Sequence, residues 1–118
     1  MKVIDIHEYY NYNVTTNGIH FSWDITKNSG NIAKHGVSFE EALTVFFDER
    51  YIEVDDPDHS IEEERFIALG FSEAARMITV SHSVIEDEDI EIYRIISARK
   101  ATAAEIGFYT EINNARRI

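Results

Sequence analysis

The segment Arg94-Ile95-Ile96-Ser97-Ala98-Arg99-Lys100 sets three cations within seven residues of a chain whose formal net charge is −11. Such a cluster suits an anionic partner. A guanidinium offers a planar donor fork that matches phosphate, and a helix beginning just afterwards would add free backbone N–H groups. Strand alternation puts Ser97 and Arg99 on one side and Arg94 on the other. The plainer alternative is that these bases neutralise nearby acids, with Ser97 as a cap. Arg65 opens a second apolar run and shares a face with Ile67 and Leu69. It reads either as an ion-pair partner of Glu62 to Glu64 or as a phosphate clamp. His82 follows Ile78 and Val80 on an inward face, a position that suits a structural histidine better than a catalytic one. Lys34 and His35 precede Gly36 at a helix end, where the dipole favours cations and the side chains reach the surface.

Other chemistries have little support. The chain has no cysteine, which removes disulfides, thiolate zinc sites and thiol nucleophiles. Asp55-Asp56-Pro57-Asp58-His59 gathers carboxylates and a histidine, but it reads as a turn, and no second ligand group has metal-site spacing. There is no Gly-rich phosphate loop and no nucleophile elbow. No metal and no cofactor are expected.

The elements that must carry these residues follow from pattern. Tyr10, Tyr12 and Val14 alternate with polar residues, as do Ile19, Phe21 and Trp23, and Asn17-Gly18 between them is a hairpin signal. Asp24 is placed to cap a helix running to about His35. Gly36 stops it, and Ser38 with Glu41 reads as a capping box opening a second helix. There Phe39, Ala42, Leu43, Phe46 and Phe47 recur at helical spacing and must face a core. Strand-like runs follow at 51–54, 65–70, 76–82 and 90–97, with short polar connections that favour consecutive antiparallel pairing. Thr102 and Glu105 form a second capping box, opening a helix towards Asn113. The order predicts one α+β domain over 1–118, an antiparallel sheet of about four to six strands flanked by helices, with residues 1–20 as an N-terminal extension and hairpin strand.

The acidity is uneven. Asp48 to Glu64 holds nine acids and Glu86 to Glu91 five, leaving eight acids against ten of the eleven bases elsewhere. Both runs read as solvated segments that keep the protein soluble, and a basic site remains compatible with the rest. Met1 to Glu8 is too short and charged for a signal peptide, and no apolar run approaches the roughly 20 residues of a membrane helix. A cytoplasmic protein without membrane contact is expected.

Taken together, Trp23-Asp24, Lys27, Asn31, the run Lys34 to Ala42, Asp56-Pro57, Glu64-Arg65, Val80-Ser81-His82 and Arg94 to Arg99 resemble the BrnT toxin family. The likeness covers roughly Phe21 to Asn113. It implies a RelE/ParE-like fold and a type II toxin–antitoxin system whose toxin cleaves RNA, without metal or cofactor, and is silenced by a BrnA-type antitoxin. DNA would be met only through the antitoxin, and the implied assemblies are a homodimer or a heterotetramer with it. By the same resemblance Lys34, Arg65, His82, Ser97 and Arg99 are candidate catalytic residues, and His35, Glu40, Arg94 and Lys100 candidate substrate contacts. Arg65 and Arg99 would hold the charge of the transition state, and Lys34 or His82 would move the proton. The competing reading is a non-catalytic member that serves as a binding module in an antitoxin–DNA repressor complex. Convergence of Arg65, Ser97, Arg99 and a proton-transfer group in one open groove favours the enzyme, whereas arginines each tied to carboxylates such as Glu64 or Glu91 favour the binding module.

Overall fold

The computed structural model describes residues 11–57 and 64–116. Asn17 and Gly18 take positive φ, 51° and 79°, and turn β1 (Tyr12–Thr16) back onto β2 (Ile19–Trp23). This is the hairpin that Asn-Gly predicts, and the ring of Tyr12 stacks on Trp23 at 4.8 Å. Tyr10 lies outside the described residues. Asp24 accepts from the Thr26 N–H and caps α1 (Ile25–His35), and Gly36 ends it at φ 69°. Ser38 accepts from the Glu41 N–H to open α2 (Phe39–Leu43), which tightens into a 3-10 turn over Thr44–Phe47. The predicted capping box is therefore half formed, because the Glu41 carboxylate turns to Ser72 and Arg76. β3 (Ile52–Asp55), β4 (Arg65–Phe71), β5 (Met77–Asp87), β6 (Ile90–Lys100) and α3 (Ala103–Ala115) complete the order. At α3 the Thr102–Glu105 capping box is reciprocal.

The six strands form one sheet in the order β1-β2-β6-β5-β4-β3. β3 to β6 pair consecutively and antiparallel, as the short connections predict. The N-terminal hairpin joins by a parallel pair, β2 with β6, over His20 to Ser22 against Ile92 to Arg94. The sheet is thus mixed, and the parallel pair stops before Ala98. There α1 takes over the exposed strand edge: the Asn31 side chain donates to the Ala98 carbonyl at 2.8 Å and accepts from its N–H at 3.2 Å. Asn28 does the same for α2, accepting from the Phe39 N–H at 2.8 Å. Two buried amides, rather than an apolar stripe, hold α1, which explains its weak hydrophobic pattern.

The main core lies on one face of the sheet. Val37, Phe39, Ala42, Val45 and Phe46 pack there on Phe21, Trp23, Val80, Ile95 and Ala98, each large side chain contributing roughly 1.5–3 kcal/mol. The opposite face carries a smaller cluster of Ile52, Leu69, Met77 and Tyr109 under α3. Tyr109 donates to Asp48 at 2.7 Å, and burial beside that carboxylate raises the phenol to about 12. Asp48 also accepts from the N–H groups of Arg50 and Phe71. The first acidic run is therefore more than a solvated loop: Asp48 anchors α3, and Glu53 bonds His82. The second run is solvated, with Glu86 to Glu91 exposed around a turn at Glu88 and Asp89. Among the described residues no helix is long and apolar enough to cross a membrane.

Candidate functional site

The β5–β6 register decides which side chains share a face. Ser81 pairs with Ser97 but His82 pairs with Ile95, so Ile96 is an extra residue in β6. Such a bulge reverses the alternation beyond it. Arg94, which unbroken alternation sets opposite Ser97 and Arg99, therefore lies on their side. Directly paired residues point the same way. Three successive rows result on the face away from the main core: Arg65–Ser83–Arg94, Ile67–Ser81–Ser97 and Leu69–Thr79–Arg99. Cations stand at both ends of this stripe and hydroxyls between them, the outer rows lying roughly 13 Å apart along β5.

A groove of about 290 Å³ opens on the stripe, lined by His35, Ile67, Thr79, Ser81, Ser97 and Arg99. His35 reaches it from the end of α1, which the Asn31 amide holds against the edge of β6 at Ala98. Arg99 forms its floor at the end nearest α3, with its side chain 43% exposed. Its Nη1 donates to Oε1 of Glu105 at 2.7 Å and its Nη2 to Oε2 at 3.0 Å. A further Nη1 contact runs to the Lys100 carbonyl at 3.3 Å. Glu105 in turn accepts from Thr79 Oγ1 at 3.1 Å and from the Thr102 N–H at 2.8 Å. Arg99 chiefly, with these other donors, lowers the Glu105 carboxyl to about 2, and the carboxylate raises the guanidinium in return.

Which edge of the guanidinium is used matters. Arginine has five N–H donors, and Nη1 and Nη2 together form its end-on edge. Glu105 occupies that edge. Among the described residues nothing bonds the side-on edge, Nε–H beside the second Nη2–H, which is an intact fork of the kind that fits two phosphate oxygens.

The other sequence-predicted residues are distributed differently. Lys34 is exposed in the last turn of α1 and does not line the groove. Glu40 accepts from the Asn28 amide at 2.8 Å and ties α1 to α2. Lys100 pairs with Ile78, so it belongs to the core side of the sheet, near Glu41. Arg65 and Arg94 flank Ser83 at the far end of the stripe, half-buried. Glu62 and Glu63, considered as partners for Arg65, lie outside the described residues, as do Asp58 and His59 of the turn.

His82 is on the far side of the sheet from the groove. Its ring is fully buried, stacked on Tyr93 and set edge-on against Phe46, with Nε2 2.9 Å from Glu53. Burial depresses its pKa, and the Glu53 carboxylate only partly offsets this. The inward face read from its neighbours is the one it occupies. Sequence reasoning missed Glu105, Thr79 and Ser81 as lining or supporting groups. The sequence does carry a signal for Glu105: it stands in the first turn of α3, five residues after Lys100, at the acidic position of a capping box.

No curated protein matches the sequence. A family model does, described as the ribonuclease toxin BrnT of type II toxin–antitoxin systems, over residues 23–105. The matched span starts at the end of β2, takes in the whole groove and ends on Glu105. It covers more than two thirds of the 118 residues, and the chain belongs to the BrnT family of type II toxin–antitoxin ribonuclease toxins.

Proposed function

We propose that the chain is an endoribonuclease that cuts RNA in the Arg99 groove without a metal, and that a BrnA-type antitoxin silences it. The 2′-oxygen of a ribose attacks the adjacent phosphorus, the P–O5′ bond breaks, and the products carry a 2′,3′-cyclic phosphate and a 5′-hydroxyl. The proton leaves the 2′-OH for a base and returns to O5′ from an acid. His35 is the histidine that lines the groove, and imidazole is the side chain suited to trading protons near neutrality. Arg99 holds the charge on the non-bridging oxygens, a task for donors already in place. Ser97 and Ser81 supply hydroxyls along the backbone path, and Arg65 with Arg94 favours a second phosphate at the other end of the stripe. His82 supports the sheet from behind. DNA is met only through the antitoxin.

The observation that carries this reading is an arginine that lines an open groove and, among the described residues, keeps its side-on fork unbonded. The ion pair with Glu105 is what a non-catalytic binding module would show, yet it leaves that fork whole. The test is incubation of purified protein with a short RNA in the presence of a chelator, beside Arg99→Ala. Cleavage by the parent with cyclic-phosphate ends, and loss in the variant, is expected. A parent that binds antitoxin but never cuts RNA would support the binding module instead.

A further inference from the structure

We propose that Glu105 is a positioning residue for Arg99: its carboxylate locks the end-on edge of the guanidinium so that the side-on fork faces the groove. The inference rests on the ribonuclease reading above and names a residue that acts through another. Three observations support it. Glu105 grips both terminal nitrogens of Arg99, at 2.7 and 3.0 Å, so the guanidinium plane is fixed as well as its place. Glu105 is itself held, by Thr79 across the sheet and by the Thr102 N–H at the start of α3. The Lys100 carbonyl takes the remaining Nη1 donor. The three bonds use every donor except those of the side-on fork. An unsupported arginine would sample many rotamers and lose entropy on each phosphate encounter. Held this way, it meets the phosphate already aligned.

Two roles of Glu105 must be separated, since it also caps α3. Thr102→Ala removes the hydroxyl that accepts from the Glu105 N–H and leaves the Arg99 contact alone. Glu105→Gln keeps one acceptor oxygen but sets an amide against a guanidinium nitrogen. The experiment compares parent, Glu105→Gln and Thr102→Ala in steady-state cleavage of a short RNA, with melting curves of each. For Glu105→Gln kcat is expected to fall by about 10- to 100-fold. Its KM should hold or drop, because a negative charge beside Arg99 has gone. Thr102→Ala should melt earlier at parental kcat. Rotational freedom at Arg99, read from the relaxation of its Nε–H signal by NMR, should rise in Glu105→Gln alone.

Parental kcat and an equally rigid Nε–H in Glu105→Gln would overturn the inference while leaving the ribonuclease reading intact. Faster cleavage by Glu105→Gln would also overturn it, making Glu105 a mask over Arg99. A parent that never cuts RNA would overturn both.

Discussion

Arg76 and Arg99 are each held by one glutamate through two nitrogens, and the two pairs do opposite things. Arg76 gives Nε to Glu41 Oε2 at 2.7 Å and Nη2 to Oε1, then Nη2 again to the Gly36 carbonyl at 2.9 Å. Its side-on fork is closed, and its end-on edge has lost the Nη2 donor. What it holds is the hinge between α1 and α2. Arg99, which lines the groove, gives up its end-on edge and, among the described residues, keeps the side-on fork unbonded. The presence of an ion pair therefore says little about function. The unused donors decide it.

The largest effect expected from this difference is on cleavage. Arg99→Ala should lower kcat by about 10²- to 10³-fold, the usual loss when one pre-positioned donor to a transition-state oxyanion is removed. Arg76→Ala should leave cleavage per folded molecule at the parental level and lower Tm instead. Steady-state assays on both variants, normalised to the folded fraction, check the pair. If Arg76→Ala lost as much kcat as Arg99→Ala at an unchanged Tm, the division between them would fail.

Lysine at the same positions sharpens the contrast. It keeps the charge and loses the fork. Arg99→Lys should cut RNA at least about 10-fold more slowly while binding it with nearly the same salt dependence, since that slope counts charges. Arg76→Lys should lose one of two bonds to Glu41 and the reach to Gly36, with a smaller drop in Tm than alanine. Equal kcat for Arg99→Lys and the parent would mean that charge alone suffices.

This difference between the two arginines was only partly open to sequence reasoning. The hinge was readable because Gly36 and Ser38 act locally, through a positive φ and a cap. The Asn17-Gly18 hairpin, the inward His82 and the consecutive β3 to β6 pairing were readable for the same reason: short-range pattern determines them. Arg76 gave no signal, since its partners Glu41 and Gly36 lie 35 and 40 residues away. The side chosen for Arg94 failed on a single residue. Nothing in Arg94-Ile95-Ile96-Ser97 marks a bulge, and the slip is set by how β5 and β6 meet. The parallel β2–β6 pair was hidden too, because it joins segments about 70 residues apart over three pairs. Glu105 is legible only as a cap, because Thr102 and Glu105 sit at capping-box spacing while its bond to Arg99 depends on how β6 meets α3.

The smallest effects lie in how stability depends on pH, and they separate the groove pair from the core. Glu105 has its folded-state carboxyl lowered from 4.5 to about 2. Its contribution is complete above about pH 4.5 and drains away as pH falls towards 2. Solvent screening at this part-exposed site limits it to about 1 kcal/mol. Glu41, lowered chiefly by its hydrogen bond to Arg76, acts in the same direction, its contribution being lost as pH falls below the ordinary carboxylate value. His82 titrates as a base depressed by burial from an ordinary 6.5, so the unfolded chain takes up its proton first. Stability should therefore decline already below about pH 6.5, well before either glutamate matters. Melting curves from pH 8 to 3 should show two regions of slope. Glu105→Gln should make the lower one shallower, Glu41 supplying the rest, and leave the upper, whereas His82→Gln should flatten the upper and leave the lower. An upper slope that survives in His82→Gln would assign that proton to another group and remove His82 from the account of acid sensitivity, leaving the two arginine pairs as they stand.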